Sequence, residues 1–510
     1  MASSSSGSTP VDVTLVDISG AVITEGTWHG PCKALELYQA AYRSKPGFLC
    51  KLLHGSQELN PQSDLASLCQ NFCHLTVVWM TGSVDKITQH ANHPAFAALK
   101  PDGSVIAWGN AARGGDSSSV EQRLTSVVQV VGNNYAFAAV KSDGSVITWG
   151  VANKGGDCSH VEHQIQEGVV RVVGNDGAFA AVRSDGSVIT WGVADNGGDS
   201  SHVEQRLKEG VVQLVGNELA FAAVKSDGSV ITWGSSDGGG DSSHVENRLQ
   251  EGVVQVVGNE LAFAAVKSDG SVIAWGNAAR GGDCSRVEHR LKEGVVQVVG
   301  NNYAFAAVKS DGSVIAWGDS GGGGDCSHVE HQLQDGVVQV VGNELAFAAV
   351  KSDGSVITWG DSFRGGDGSD VEHLLQEGVV QVVSNNYAFA AVKSDGSVIT
   401  WGVADNRGGS FRVEHRLQEG VVQVVGNDQA FAAVKSDGSV IAWGNAARGG
   451  DCSRVEHRLK EGVVQLVGNY GAFAAVKSDG SVISWGVADN GGDCPRVRHR
   501  VQEGVSGVVS

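Results

Sequence analysis

A tryptophan recurs ten times at an almost fixed interval: Trp108, Trp149, Trp191, Trp233, Trp275, Trp317, Trp359, Trp401, Trp443 and Trp485. The step is 41 residues once and 42 thereafter. A period of this length marks a propeller, a solenoid or another array, because so short a unit cannot bury its apolar face without neighbours. Ten near-identical copies fill residues 83–510. Such a body predicts a surface for binding; it brings no chemistry of its own.

The second copy, Val127 to Gly168, shows how one unit is built. Val127-Val128-Gln129-Val130-Val131-Gly132 is a short β-branched run closed by glycine and reads as a buried strand. Ala136 to Val140 reads as a second strand, its alanines suited to a crowded place where sheets converge. Asp143-Gly144 between two apolar runs is a strong hairpin signal. The return strand is Ser145 to Gly150, and alternation puts Ile147 and Trp149 on one face and Val146 and Thr148 on the other. A polar, glycine-rich loop follows. Ser159-His160-Val161-Glu162 then fits a capping box, with Gly168 placed to stop the helical turn. Each unit is therefore three antiparallel strands and a short helix.

Lys and Arg number 37 against 56 Asp and Glu, a net charge of −19. A duplex-binding protein needs a basic stripe to displace counterions from phosphates, so a nucleic-acid partner is not expected. No run approaches the roughly 18 apolar residues of a membrane span, and Met1 to Pro10 is a Ser-rich polar tail without the apolar segment of a secretory signal. With nine cysteines, an odd number, reduced thiols in the cytoplasm or nucleus are expected. Five of them (Cys158, Cys284, Cys326, Cys452, Cys494) occupy one equivalent position. Packed sheets lie on the order of 10 Å apart, beyond the roughly 7 Å between Cα atoms that a disulfide tolerates.

The run Ala136-Phe-Ala-Ala-Val-Lys-Ser-Asp-Gly-Ser-Val-Ile-Thr-Trp-Gly150, a Gly-rich stretch and a Gly-Val-Val before the next copy resemble repeats of the regulator of chromosome condensation family. The likeness is strongest to the short, three-stranded version in propeller-shaped β-lactamase-inhibitory proteins. It implies a mainly β fold, a β-propeller-type array of ten three-stranded blades. The family includes exchange factors for small GTPases, ubiquitin-ligase domains, photoreceptors and inhibitors, so function does not follow from the repeat.

Residues 11–80 differ in kind. Val11–Val16 and Ala21–Thr24 read as a hairpin, Ala34–Ser44 as a helix, and Leu49–Gly55 and His74–Trp79 as later strands. This order, with Leu52-Leu53-His54-Gly55-Ser56-Gln57-Glu58-Leu59 and a closing His74-Leu75-Thr76-Val77-Val78, resembles a small α+β ubiquitin-like (β-grasp) domain. No Gly-Gly tail follows Trp79, which excludes conjugation through it.

Cys158-Ser-His160-Val-Glu-His163 recurs as Cys326-Ser-His328-Val-Glu-His331 and offers soft metal ligands. Other copies lose members, and two half-sites four units apart cannot share one ion, so no metal is expected. The Asp-Gly turns lack the Asp-x-Asp-x-Asp-Gly pattern of a calcium loop. Every candidate nucleophile or base is present in many equivalent copies, whereas catalysis needs one asymmetric cluster; no catalytic residue and no cofactor is expected. The tryptophans read as packing knobs between blades.

Variation between copies concentrates in two loops. One precedes Ala-Phe (Asn134-Tyr135, Glu218-Leu219); the other follows Trp-Gly (Lys154, Phe363, Arg364, Arg448). Loop variation on a fixed scaffold is how binding surfaces are built, and it is also what drift after duplication leaves. The expected function is a non-enzymatic protein–protein interaction scaffold with an unidentified protein partner. Nucleotide exchange on a small GTPase and substrate recruitment in the ubiquitin pathway are the alternatives that the resemblances imply. Finally, Val505–Val509 copies the first strand of a unit, and pairing beside Ala95–Leu99 would remove an open edge. Val84–His90 competes for the same slot.

Overall fold

The computed structural model describes residues 11–17, 22–28, 49–54, 57–58, 72–80, 93–403, 413–493, 505 and 507–509. The chain divides into two compact units, Met1–Lys86 and Ile87–Ser510.

The first unit holds one mixed sheet of β1 (Val11–Asp17), β2 (Val22–Trp28), β3 (Leu49–His54), β4 (Gln57–Glu58) and β5 (Phe72–Met80), in the order β2-β1-β5-β3-β4. The two central strands, β1 and β5, run parallel with Leu15 opposite Leu75, and the other pairs are antiparallel. Val13, Leu15 and Leu75 are buried. The helix expected over Ala34–Ser44 lies outside the described residues.

The second unit contains ten three-stranded antiparallel sheets. In repeat 2 the strands are Val127–Gly132, Ala136–Lys141 and Val146–Gly150. The first strand is not buried throughout, as its composition suggested. A bulge between Val127 and Gln129 inserts an extra residue and leaves Val128 exposed, as it does Val254, Val338 and Val422 in their repeats. The hairpin closes with Gly144 N–H donating to the Lys141 carbonyl at 2.8 Å and Gly144 at φ +77°. Asp143 Oδ1 accepts from the Ser145 amide and hydroxyl, which holds its carboxyl below the usual range.

The capping box is not formed. Ser159–Gln164 is a 3₁₀ turn, and no side chain caps it from Cys158, the residue at its N-cap. Instead Asp157 Oδ1 accepts from the Ser159 amide at 2.9 Å, so a residue two places earlier supplies the acceptor. The same Asp-x-Ser bond recurs at Asp241–Ser243 and Asp325–Ser327.

Both faces of each sheet are covered. In repeat 2, Val130, Phe137, Ala139, Ile147 and Trp149 pack on repeat 1, while Ala136, Ala138, Val140 and Val146 pack on repeat 3. The alanines let adjacent sheets approach while each Phe stacks on its own Trp at 5.3–5.5 Å between ring centres. A glycine from the preceding repeat closes the joint. Trp317 Nε1 donates to the Gly281 carbonyl at 2.9 Å. Gly281 sits at φ +92°, and a Cβ there would lie 2.8 Å from Phe305 Cδ2. Only glycine meets both demands.

Gly507–Val509 pairs antiparallel with Ala95–Leu99 and gives repeat 1 its third strand. The expected C-terminal strand therefore occupies the edge of repeat 1; its competitor Val84–His90 lies outside the described residues. Phe96, Ile106 and Trp108 of repeat 1 share an apolar cluster with Ala472, Ala474 and Val482 of repeat 10, and Val505 and Val508 join it. Repeat 1 thus packs on repeat 2 by one face and on repeat 10 by the other.

Trp317→Ala should lower unfolding free energy by ~3–5 kcal/mol, as aromatic truncations in cores do. Gly281→Ala should cost at least about 1–2 kcal/mol from the left-handed backbone alone, and more from the contact with Phe305. Denaturant unfolding measures both; unchanged midpoints would place Trp317 outside the core. Deleting residues 505–510 should lower the melting temperature and broaden the transition of the whole repeat body, whereas a row open at its ends would lose only a frayed terminus.

Candidate interaction surface

In eight repeats, 2–7, 9 and 10, an asparagine at the end of the first strand brings the two variable loops together. In repeat 4, Asn217 Oδ1 accepts from the Leu219 and Ala220 amides at 3.0 and 2.8 Å, and its Nδ2 donates to the Gly238 carbonyl at 2.6 Å. Asn217 is buried, so these bonds replace water that the amide has lost. The loop before Ala-Phe and the loop after Trp-Gly therefore form one surface at the same end of the sheet.

On that surface the variable residues engage one another across repeats. The cation of one repeat lies over the tyrosine of the next: Arg113 on Tyr135, Arg280 on Tyr303, Arg364 on Tyr387 and Arg448 on Tyr470, at 3.5–4.6 Å from the ring centres. Lys154 faces Gly177 in the next repeat and lies over Tyr135 of its own at 5.1 Å. Where the cationic position holds Asn196, Gly238 or Gly322, the next repeat carries Leu219, Leu261 or Leu345. Arg280 also pairs with Glu260 at 2.7 Å, close in charge though off-line as a hydrogen bond, and Arg364 pairs with Glu344. Arg364 donates to the Asn386 carbonyl and Arg448 to that of Tyr470.

The residue after each asparagine links neighbouring loops. Asn134 Nδ2 donates to Asp176 Oδ1 at 2.7 Å, the Asp176 amide to the Glu218 carbonyl, and the Glu218 amide to the Glu260 carbonyl. Three carboxylates of successive repeats are thus held close together. Burial, then the charges of Glu260 and Asp176, push the Glu218 carboxyl up to about 7, with Arg280 opposing. Burial also raises Glu260.

Of the residues singled out from sequence, Tyr135, Arg364 and Arg448 are joint residues, Lys154 packs against the loops at its joint, and Asn134 and Glu218 belong to this chain of loops. Leu219 is half-buried beside Gly238. Phe363 alone stands out at 77 % exposure. Sequence comparison of aligned copies missed Glu260, Glu344, Arg280 and Tyr387. Their signal lies between copies offset by one repeat, where arginine in one predicts tyrosine in the next.

The metal half-site does not assemble. Cys158 is buried whereas His160 and His163 are exposed, and burial raises the Cys158 thiol, as it does Cys284, Cys326 and Cys452. A buried, protonated thiol is a poor nucleophile and ligand. Among the described residues, no helix is long and apolar enough to cross a membrane.

No family model and no curated protein matches the sequence. Among solved structures, yeast Prp20p, from a study of its binding to Gsp1p and histones, is 16 % identical at a TM-score of 0.31, with 60 % of this chain and 80 % of that one covered. Human WBSCR16 is 15 % identical at 0.31, covering 65 % and 95 %. The CRINKLY WD40 ectodomain of the Arabidopsis thaliana receptor kinase ACR4 is 16 % identical at 0.28, covering 55 % and 98 %. Likeness of this degree assigns neither activity nor partner. The ten three-stranded sheets stand on their own strand pairing.

The sign of the pH dependence at Glu218 follows from its raised pKa. The folded chain holds a proton there that the unfolded chain releases, so stability falls as pH rises from the ordinary carboxylate range through about 7. Glu218→Gln should stabilise the protein near pH 8 by about 1 kcal/mol after allowance for solvent screening, and hardly at all near pH 4. Thermal melts of the two proteins across pH measure this; parallel curves would show that Glu218 titrates normally.

Proposed function

We propose that the ten sheets form a closed propeller of the regulator of chromosome condensation type that serves as a non-enzymatic scaffold for protein partners, in the cytoplasm or nucleus. The first unit is proposed to be a ubiquitin-like β-grasp domain. The observation that carries the scaffold reading is the distribution of variation: near-invariant strands, and differences gathered on loops that an asparagine ties together in eight of the repeats. For the first unit, the support is a sheet with a central parallel pair flanked by antiparallel strands. The non-enzymatic reading is supported by the separation of chemistry-bearing side chains in burial, with the Cys158 thiol buried and the His160 and His163 imidazoles exposed.

Affinity capture with the full tagged chain tests the reading. A protein partner should be retained at near-stoichiometric ratio and displaced by untagged chain. Retention of none, or equal retention by heat-unfolded chain, would refute it. A fluorescent-nucleotide release assay across small GTPases separates a scaffold, which leaves release unchanged, from an exchange factor, which accelerates it.

A further inference from the structure

The start of each first strand and the Asp-Gly hairpin lie at the end of the sheet opposite the asparagine-tied loops. There the first residue of every first strand donates its amide to the hairpin glycine carbonyl of the preceding repeat, from Val127 to Gly103 through Val505 to Gly480, ten bonds of 2.8–3.1 Å. These bonds hold the strand starts in one continuous belt, along which the first strands of successive repeats touch. The next residue is the valine that the bulge displaces. Val128 in repeat 2 and its equivalents from Val212 to Val464 in repeats 4–10 are between 45 and 64 % exposed. They make up eight of the eleven large apolar side chains exposed among the described residues, so the exposed apolar surface is concentrated on this belt.

The first strand is the edge of its sheet, where natural proteins place charges or bulges against unwanted pairing. Here the bulge breaks the ladder and opposes strand addition, yet the displaced side chain is left apolar. Exposed positions of the outer turns have drifted, as His160, Arg286 and Asp370 show at one of them, whereas the belt keeps valine in nine of ten copies. Strand propensity alone would accept threonine there as readily. The surroundings are acidic. In repeats 7–9 the belt is flanked by Asp335, Asp353, Glu377, Asp395, Glu419 and Asp437, all exposed, against the three half-buried lysines Lys351, Lys393 and Lys435. Two of those lysines fold back onto the preceding turn, Lys351 Nζ to the Gln332 carbonyl at 3.2 Å and to Asp335 at 3.1 Å, and Lys393 Nζ to the Leu374 carbonyl at 3.3 Å. Glu377 and Glu419 stand three residues before Val380 and Val422, next to Gln376 and Gln418, where other repeats have Lys208, Lys292 and Lys460.

We propose that the hairpin end at Val338, Val380 and Val422 is a second docking surface, for a protein whose apolar side chains are bordered by lysine or arginine. Charge complementarity selects this occupant: its cations meet Glu377, Glu419 and the hairpin aspartates while its apolar side chains cover the valines. A second copy of the chain would bring the same excess of acid to this face and be repelled. The proposal rests on the scaffold reading for the existence of a partner, and it adds a contact at the end opposite the variable loops.

The probe is a fluorescein-labelled amphipathic peptide of leucine and lysine, titrated against the full chain by anisotropy, beside a leucine–glutamate counterpart. The lysine peptide should bind, more weakly as salt rises, and the glutamate peptide should not. Val338→Thr, Val380→Thr and Val422→Thr together keep β-branched side chains on the strands. This triple variant should weaken binding roughly tenfold with an unchanged melting temperature. Glu377→Gln with Glu419→Gln should weaken binding and flatten its salt dependence. Val128→Thr, in a repeat where Thr125 stands in the acid's place, should leave binding unaltered. Equal affinity of the triple variant and the wild type, binding of the glutamate peptide, or no binding by the wild type would each overturn the proposal. A lower melting temperature of the triple variant would show that the chain itself covers the valines, and would overturn it too. If cellular partners are captured equally by wild type and triple variant, this face is wrong and the scaffold reading stands. If neither captures any, the scaffold reading itself fails.

Discussion

The repeat body depends on one contact made over and over, in which a glycine of one repeat closes on the Phe–Trp stack of the next. In eight repeats the glycine carbonyl satisfies the indole N–H that burial has cut off from water, as from Trp149 to Gly114 and from Trp485 to Gly449, both at 2.8 Å. Trp108 and Trp443 make no such bond among the described residues, and Arg407 stands in the sequence where the glycine before Trp443 would be. The glycine also needs a left-handed backbone and leaves no room for a Cβ. Hydrophobic burial, hydrogen bonding and backbone conformation thus converge on a single position. A single sheet of three short strands has little core of its own, so its stability is a nearest-neighbour property. The first and last repeats meet the same requirement by sharing a cluster with each other, completed by a strand from the far end of the chain.

Much of this was legible in the sequence because the repeat multiplies its own evidence. Trp317 and Asp311-Gly312 recur in register with their equivalents, so period, strand alternation and hairpins could be read from ten copies at once. What escaped was local. The Ser159-x-x-Glu162 pattern satisfied a capping rule, yet Asp157 was better placed, and the Asp carboxylate outcompetes a hydroxyl as an acceptor for the exposed amide. Val128 belonged to a valine-rich run interrupted only by Gln129, and nothing in its neighbours announced a bulge.

The candidate site was legible only in part, for a related reason. Variation between aligned copies correctly drew attention to Tyr135, Arg364 and Arg448, and it suggested residues awaiting a partner. Their partner is the adjacent repeat. Arg280 over Tyr303 and Asn196 before Leu219 are two solutions to one joint, cation on ring or small residue beside leucine, and at these joints the change in one repeat is answered in the next. Such reciprocity is a packing constraint, and unanswered drift would break it.

Once the answered changes are set aside, the unanswered ones carry the information about partners. Glu260 is unusual in sequence, but Arg280 meets it. Leu374 is 42 % exposed at a position where arginine elsewhere bridges to the next repeat, and Phe363 of the same repeat is 77 % exposed. In a body of near-identical units, each exposed residue has nine internal controls. An apolar side chain that departs from most of them stands out against those controls.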